Sequence, residues 1–199
     1  SIQNLSYRYG KTLALDDVSL DIPKGATVGL IGPDGVGKSS LLNALTGAGV
    51  LVENALFATL EPTTRRGQLS DGREFVLTDT VGFVRHLPTQ LVEAFRSTLE
   101  EVVDAELLLH VVDGSDVNPL AQINAVRAVV NDVVAETDAQ APPELLVVNK
   151  IDAADGLVLA QLRRALPGAV FVSARTGEGL DRLQARLAEM ITPRDTVVD

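Results

Sequence analysis

Gly32-Pro33-Asp34-Gly35-Val36-Gly37-Lys38-Ser39 satisfies the pattern G-x-x-x-x-G-K-[ST] at every constrained position. The apolar run Ala26-Thr27-Val28-Gly29-Leu30-Ile31 leads into it, and Ser40-Leu41-Leu42-Asn43-Ala44-Leu45 continues from it as a helix. Strand, glycine loop and helix in that order read as a phosphate loop. Glycines let the backbone curl so that successive N–H groups and the positive end of the helix face one anionic centre. Gly32, Asp34, Gly35, Val36, Gly37 and Ser40 are therefore expected to line a nucleotide's phosphates. Lys38 is expected to reach the β- and γ-phosphates, and the Ser39 hydroxyl to ligate Mg²⁺.

Working outward, residues 2–9 and 14–22 alternate weakly about the turn Gly10-Lys11-Thr12, which predicts two antiparallel strands. Pro23-Lys24-Gly25 reads as the turn into the phosphate-loop strand. Gly47 and Gly49 should end the first helix. Residues 50–66 show no sustained period and read as a long loop, of the kind that is usually functional. Gln68-Leu69, Asp71-Gly72 and Glu74 to Asp79 predict a β-hairpin with a tight D-G turn. Beyond it, helical spacing over 91–103 precedes the buried-strand run Leu107-Leu108-Leu109-His110-Val111-Val112-Asp113. Helices are expected over 119–134, 157–166 and 179–190, and further strands over 145–148 and 169–172. The alternation predicts an α/β, three-layer P-loop NTPase fold: a mostly parallel sheet with G-protein topology, plus an N-terminal antiparallel β-hairpin.

The chain has 199 residues, of which 46% are hydrophobic, enough to bury a core as a single domain over 1–199. It contains no cysteine, so neither a disulfide framework nor a Cys-based zinc site is available, and the cytoplasm is the expected compartment. No apolar run approaches the roughly 20 residues that cross a bilayer, and Ser1-Ile2-Gln3-Asn4 lacks the pattern of a signal peptide. A net charge of -10 opposes DNA or another nucleic acid as partner. Arg65-Arg66 and Arg163-Arg164 read as solvated surface. His110 reads as a core-edge histidine, and His86, Glu100 and Glu101 as surface.

Three short motifs follow at predicted strand ends, where open α/β sheets place their ligands. Asp79-Thr80-Val81-Gly82 offers a carboxylate for the magnesium shell and a glycine N–H for a γ-phosphate. Asn149-Lys150-Ile151-Asp152 fits N-K-x-D: Asp152 can accept from guanine N1–H and N2–H₂, a pair adenine does not offer, while the Lys150 stem lies over the base. Ser173-Ala174-Arg175 fits the S-A-[KR] loop that helps hold the guanine carbonyl through a backbone N–H. Phosphate loop, D-x-x-G, N-K-x-D and S-A-R arrive in the order of a GTP site.

From about Asn43 to residue 199 the chain resembles the GTPase domain of the HflX family. The residues that carry this are Phe57-Ala58-Thr59-Leu60-Glu61-Pro62-Thr63-Thr64-Arg65-Arg66 and Asp79-Thr80-Val81-Gly82-Phe83-Val84-Arg85-His86-Leu87-Pro88. The resemblance puts the switch I magnesium ligand on Thr59. It also matches Phe83, since the family has a hydrophobic residue rather than a glutamine after D-x-x-G. Lys38, Thr59, Asp79 and Gly82 are thus the expected catalytic residues, and Ser39, Thr59 and Asp79 the metal set. The family's phosphate loop carries an asparagine whose carbonyl helps hold K⁺ beside the transferring phosphate. This chain has Gly35 there, and hydrolysis is expected to be slow. The resemblance further implies a ribosome partner, which the acidic charge and the missing preceding domain of that family argue this chain does not keep.

Residues 1 to about 42 resemble the opening of an ABC-transporter ATPase domain, through Leu5-Ser6-Tyr7-Arg8-Tyr9-Gly10, Leu15-Asp16-Asp17-Val18-Ser19-Leu20 and the phosphate loop. In that family the aromatic at the position of Tyr9 stacks on adenine. The L-S-G-G-Q signature is absent. The two resemblances together imply an engineered or recombined chimera that binds GTP or GDP. The alternatives are an ABC-like ATP-binding protein, or a non-enzymatic recombination of two P-loop folds.

Overall fold

The structure, a computed structural model, describes residues 2–9, 12–20, 26–47, 49, 63–79, 104–137 and 140–191, with the first two strands given by their backbone alone. β1 (Ile2–Tyr9) and β2 (Thr12–Leu20) pair antiparallel as a two-stranded sheet, the expected hairpin. The remaining strands are β3 (Ala26–Ile31), β4 (Thr63–Gln68), β5 (Glu74–Asp79), β6 (Leu107–Asp113), β7 (Glu144–Asn149) and β8 (Val170–Phe171). They form a six-stranded sheet ordered β4-β5-β3-β6-β7-β8, parallel except for β4. The helices are α1 (Lys38–Thr46), α2 (Pro119–Thr137), α3 (Gly156–Ala165) and α4 (Leu180–Met190). The three-layer parallel α/β architecture is the one read from the sequence.

The continuous apolar run of β6 has its reason in two covered faces. Leu107, Leu109 and Val111 join a core with Leu41, Leu42 and Leu45 of α1 and Leu183 and Leu187 of α4. Leu108 turns the other way, onto Val126 and Val130 of α2. Further along that face, Val148 and Phe171 pack with Leu162 of α3. Gly47 ends α1 in a left-handed conformation, its N–H donating to Asn43 O at 2.8 Å, as expected. Among the described residues no helix is long and apolar enough to cross a membrane.

One element differs from the sequence reading. The unpatterned stretch ends earlier than expected, because β4 begins at Thr63. It is an edge strand whose Thr64, Arg65 and Arg66 are exposed, so no alternation with a buried face marks it. The D-G turn forms as expected and reaches farther than a turn needs to. Arg73 pairs with Asp71 at 2.6 Å, and its guanidinium donates to Ala188 O at 2.5 Å and to Ile191 O, satisfying carbonyls at the end of α4. Residues 91–103, the Pro23-Lys24-Gly25 turn, His86, Glu100 and Glu101 lie outside the described residues.

His110 is fully buried, its Nδ1 2.5 Å from Glu144 Oε1, and Arg127 holds the same carboxylate through Nη2 at 2.7 Å. Burial pushes the Glu144 carboxyl up, but the hydrogen bonds from His110 and Arg127 outweigh it and hold the group down at about 2. A carboxylate whose folded pKa is depressed adds stability above its unfolded value, and loses it as pH falls toward the folded one. Glu144→Gln is therefore expected to cost about 1–2 kcal/mol at pH 7, allowing for partial solvent screening. Urea titrations of both proteins should show that gap shrinking between about pH 4.5 and about pH 2, where Glu144 itself becomes neutral. A gap constant across that window would exclude the ionised pair as its source.

Candidate functional site

Parallel register brings the motif-bearing ends of the strands to one edge of the sheet. Leu30 lies opposite both Asp79 and Leu109, and Asp113 opposite Asn149. The carboxyl ends of β3, β5, β6, β7 and β8 therefore lie on the same side, with the phosphate loop, Asp79, the N-K-x-D loop and the S-A-R loop at four of them.

In the phosphate loop, Lys38 is 6% exposed and its ammonium donates to Gly32 O and Pro33 O, each at 3.0 Å. Burial lowers its pKa, partly offset by the nearby charges of Asp79 and Asp34. Such an ammonium has lost most of its water and gains from a strong anion placed beside it. Ser39 Oγ donates to Asp79 Oδ2 at 2.7 Å. Asp79 is 1% exposed, and its Oδ1 has no hydrogen-bond partner among the described residues. Burial raises the Asp79 carboxyl above its ordinary range, against the opposing effects of Ser39 and Lys38. A hydroxyl beside a carboxylate with an unused buried oxygen is an all-oxygen donor set that fits a hard cation such as Mg²⁺.

The base loop is tied to the phosphate loop by Asn149. Its Nδ2 donates to Val36 O at 2.9 Å, and its Oδ1 accepts from Ala174 N at 3.0 Å. One buried amide thus joins the loops after β3 and β8 to the end of β7. Gly37 permits the approach, having φ 91° and no side chain: a Cβ there would stand 2.6 Å from Asn149 Nδ2. Asp152 Oδ1 accepts from Ser173 Oγ at 2.6 Å, and Oδ2 pairs with Arg175 at 2.7 Å. The Ser173 hydrogen bond leads in holding the Asp152 carboxyl below its ordinary range, with Arg175 adding to it. Asp152 is accordingly an acceptor at neutral pH.

Lys38, Ser39, Asp79, Asn149, Lys150, Asp152, Ser173, Ala174 and Arg175 stand at one edge, together with Gly32, Asp34, Gly35, Val36, Gly37 and Ser40 of the phosphate loop. Thr59, Gly82 and Phe83 lie outside the described residues. The sequence reading missed Asp113, whose Oδ2 is 2.6 Å from Lys150 Nζ. Its signal was available in outline: like Asp79, it is a carboxylate closing an apolar strand run.

A phosphate loop, a part-buried Ser–Asp pair and an N-K-x-D loop at the carboxyl edge of a parallel sheet define the P-loop GTPase fold. The family model described as 50S ribosome-binding GTPase matches residues 27–150, and the chain belongs to that family. It is similar to the GTPase HflX of Magnetococcus marinus, 46% identical over 171 residues, covering 86% of this chain and 38% of that protein. The GTPase HflX of Escherichia coli is 44% identical over 177 residues, covering 88% of this chain and 40% of that one. The chain thus spans about two fifths of the length of these relatives. Among solved structures, a GTP-binding protein from Sulfolobus solfataricus in complex with GDP matches with TM-score 0.60 and 27% identity, over 83% of this chain and 52% of that one. The HflX resemblance read from the sequence stands on these matches. The family match opens at residue 27, ahead of the boundary near Asn43, so the phosphate loop and most of its strand fall inside it.

Proposed function

We propose that the chain binds Mg²⁺·GTP and GDP and hydrolyses GTP slowly to GDP and phosphate. The observation that carries this reading is the Asn149 side chain, which bonds the phosphate loop on one side and the S-A-R loop on the other. Phosphate cradle and base loop are thereby one connected site. Lys38 would neutralise β- and γ-phosphate oxygens, and Asp152 would accept from the guanine edge. Ser39 and Asp79 would hold Mg²⁺, with Thr59 completing the set as the HflX resemblance implies. When bound, the ion offsets negative charge on the β- and γ-oxygens. Equilibrium binding of GTP against ATP tests the base reading. Equal affinity would end it.

Slow turnover follows from charge. Asp34 acts on both Lys38 and Asp79, raising the pKa of each, so its carboxylate adds negative potential where phosphate charge must be stabilised. Gly35 stands where the HflX pattern has its potassium-holding asparagine. We expect turnover at or below about 10⁻³ per second, as in unassisted small GTPases, and equal rates in K⁺ and Na⁺. Gly35→Asn should introduce potassium stimulation. The site has room, since a Cβ at 35 meets nothing within 4 Å, and asparagine tolerates the φ of 79° better than most residues. Multiple-turnover phosphate release measures this, and a wild-type rate several-fold faster in K⁺ would sink it.

For residues 1 to about 42 the ABC-like origin, and with it a recombined chain, is a second reading. Its support is confined to residues ahead of 27, where the hairpin forms a two-stranded sheet of its own, while residues 27 to 42 fall inside the GTPase family match. Preference for ATP in the same binding assay would favour it. The family's description names the 50S ribosomal subunit, and for this chain such a partner is a proposal against its charge of -10. Co-sedimentation with 50S particles at two salt concentrations tests it.

A further inference from the structure

Asp113 belongs to none of the motifs of the nucleotide site, yet it is built into one of them. It closes β6 directly opposite Asn149 at the end of β7. The next residue locks the two strand ends together, because Gly114 N donates to Asn149 O at 2.8 Å. Only glycine fits so close: a Cβ at 114 would stand 2.9 Å from Val148 Cγ1 and 3.0 Å from Asn149 O. The Asp113 carboxylate is held as well. Its Oδ1 accepts from Ser115 N at 2.9 Å and from Ser115 Oγ at 2.5 Å. That fixes where Oδ2 points, and Oδ2 meets Lys150 Nζ at 2.6 Å.

Lys150 is constrained at its other end too. Among the described residues it is the one non-glycine with positive φ, at 60°. A backbone in the left-handed region and an ammonium on a fixed carboxylate define the path of the four methylenes between them. A free lysine samples many rotamers and carries its charge into water. We propose that Asp113 is a positioning residue for the nucleotide base: by holding the Lys150 ammonium, it stretches the stem into an apolar wall for the purine face. It also neutralises the ammonium, so the base meets hydrocarbon rather than a solvated charge. This inference rests on the reading of Asn149 to Asp152 as the guanine loop.

The test compares the intact chain with Asp113→Asn, Lys150→Met and the double variant, by calorimetric binding of GTP, GDP and inorganic tripolyphosphate. Asparagine can keep the Ser115 bonds on its carbonyl oxygen while losing the ion pair. The expected result is a loss of about 10-fold for GTP and GDP alike in Asp113→Asn, with tripolyphosphate, which has no base, unchanged. In the Lys150→Met background Asp113→Asn should cost nothing further. If Asp113→Asn does not fold, Asp113→Glu, which keeps the charge but displaces it, is read in the same way with a smaller loss. Unchanged GTP affinity overturns the proposal. So does a loss shared by tripolyphosphate or undiminished in Lys150→Met, since Asp113 would then act on the fold alone. Wild-type protein that fails to prefer GTP over ATP fails the guanine reading itself, a result distinct from either.

Discussion

Lys38→Met is expected to raise the dissociation constants of GTP and GDP at least about 100-fold, which is about 2.7 kcal/mol. The melting temperature of the nucleotide-free protein should stay within about 5 °C of wild type. The contrast follows from where the ammonium sits. It is 6% exposed, and its partners are two backbone carbonyls of its own loop, Gly32 O and Pro33 O at 3.0 Å. Burial already lowers its pKa, so without ligand the charge is a modest liability to the fold. A phosphate turns it into a charge-assisted contact in a poorly solvated place, the strong form of a hydrogen bond. Methionine keeps most of the packed stem and removes the charge together with its two hydrogen bonds to the loop. Titration of a fluorescent GDP analogue, with thermal melts alongside, reads both quantities. Binding within about tenfold of wild type would mean that Lys38 is not a phosphate ligand. A melting point falling far beyond the stated range would mean that it is mainly structural.

The two outcomes separate what local sequence reports from what it does not. The phosphate loop, β3 and β6 were legible because their signals are local: glycine spacing, an unbroken apolar run, a lysine followed by serine. β6 showed its burial on two faces directly as Leu107 to Val112 without a polar break other than His110. β4 did not show, since Thr64, Arg65 and Arg66 of this edge strand are exposed one after another and its buried position, Gly67, carries no side chain to mark an alternation. The motif residues were legible as candidates, but not their partners. Asn149 reads as part of N-K-x-D. That its amide would span from Val36 O to Ala174 N depends on the order of strands in the sheet, which brings together residues far apart in the chain. Arg73, a plain turn residue in the sequence, reaches Ala188 for the same reason. Asp113 and Lys150 are of this kind too: adjacent strands in parallel register place two charges in contact that no pattern in the chain announces.

Asp152→Asn should weaken GTP and GDP binding at least about 30-fold, and raise affinity for xanthine nucleotides, with ATP little changed. The carboxylate is held ionised, first by the Ser173 hydroxyl at 2.6 Å and then by Arg175, so at neutral pH it offers oxygen acceptors only. Guanine presents two donors, N1–H and the exocyclic N2–H₂, to such a group. Replacing one oxygen by an amide nitrogen sets donor against donor, and a mismatched donor pair costs more than a hydrogen bond gains. Xanthine keeps N1–H but carries a carbonyl at C2, so the same amide meets it with one acceptor and one donor in the right order. Adenine, with neither arrangement, gains nothing. Arg175 sharpens the expectation. In the wild type it neutralises Asp152 Oδ2, whereas in the variant its guanidinium would face an amide and lose its partner. Competition of GTP, XTP and ATP against a fluorescent nucleotide measures all three. The base assignment fails if the variant retains GTP affinity. It fails also if XTP and ATP weaken together with GTP, since a uniform loss would trace to a damaged loop after β7 and not to an exchanged hydrogen bond.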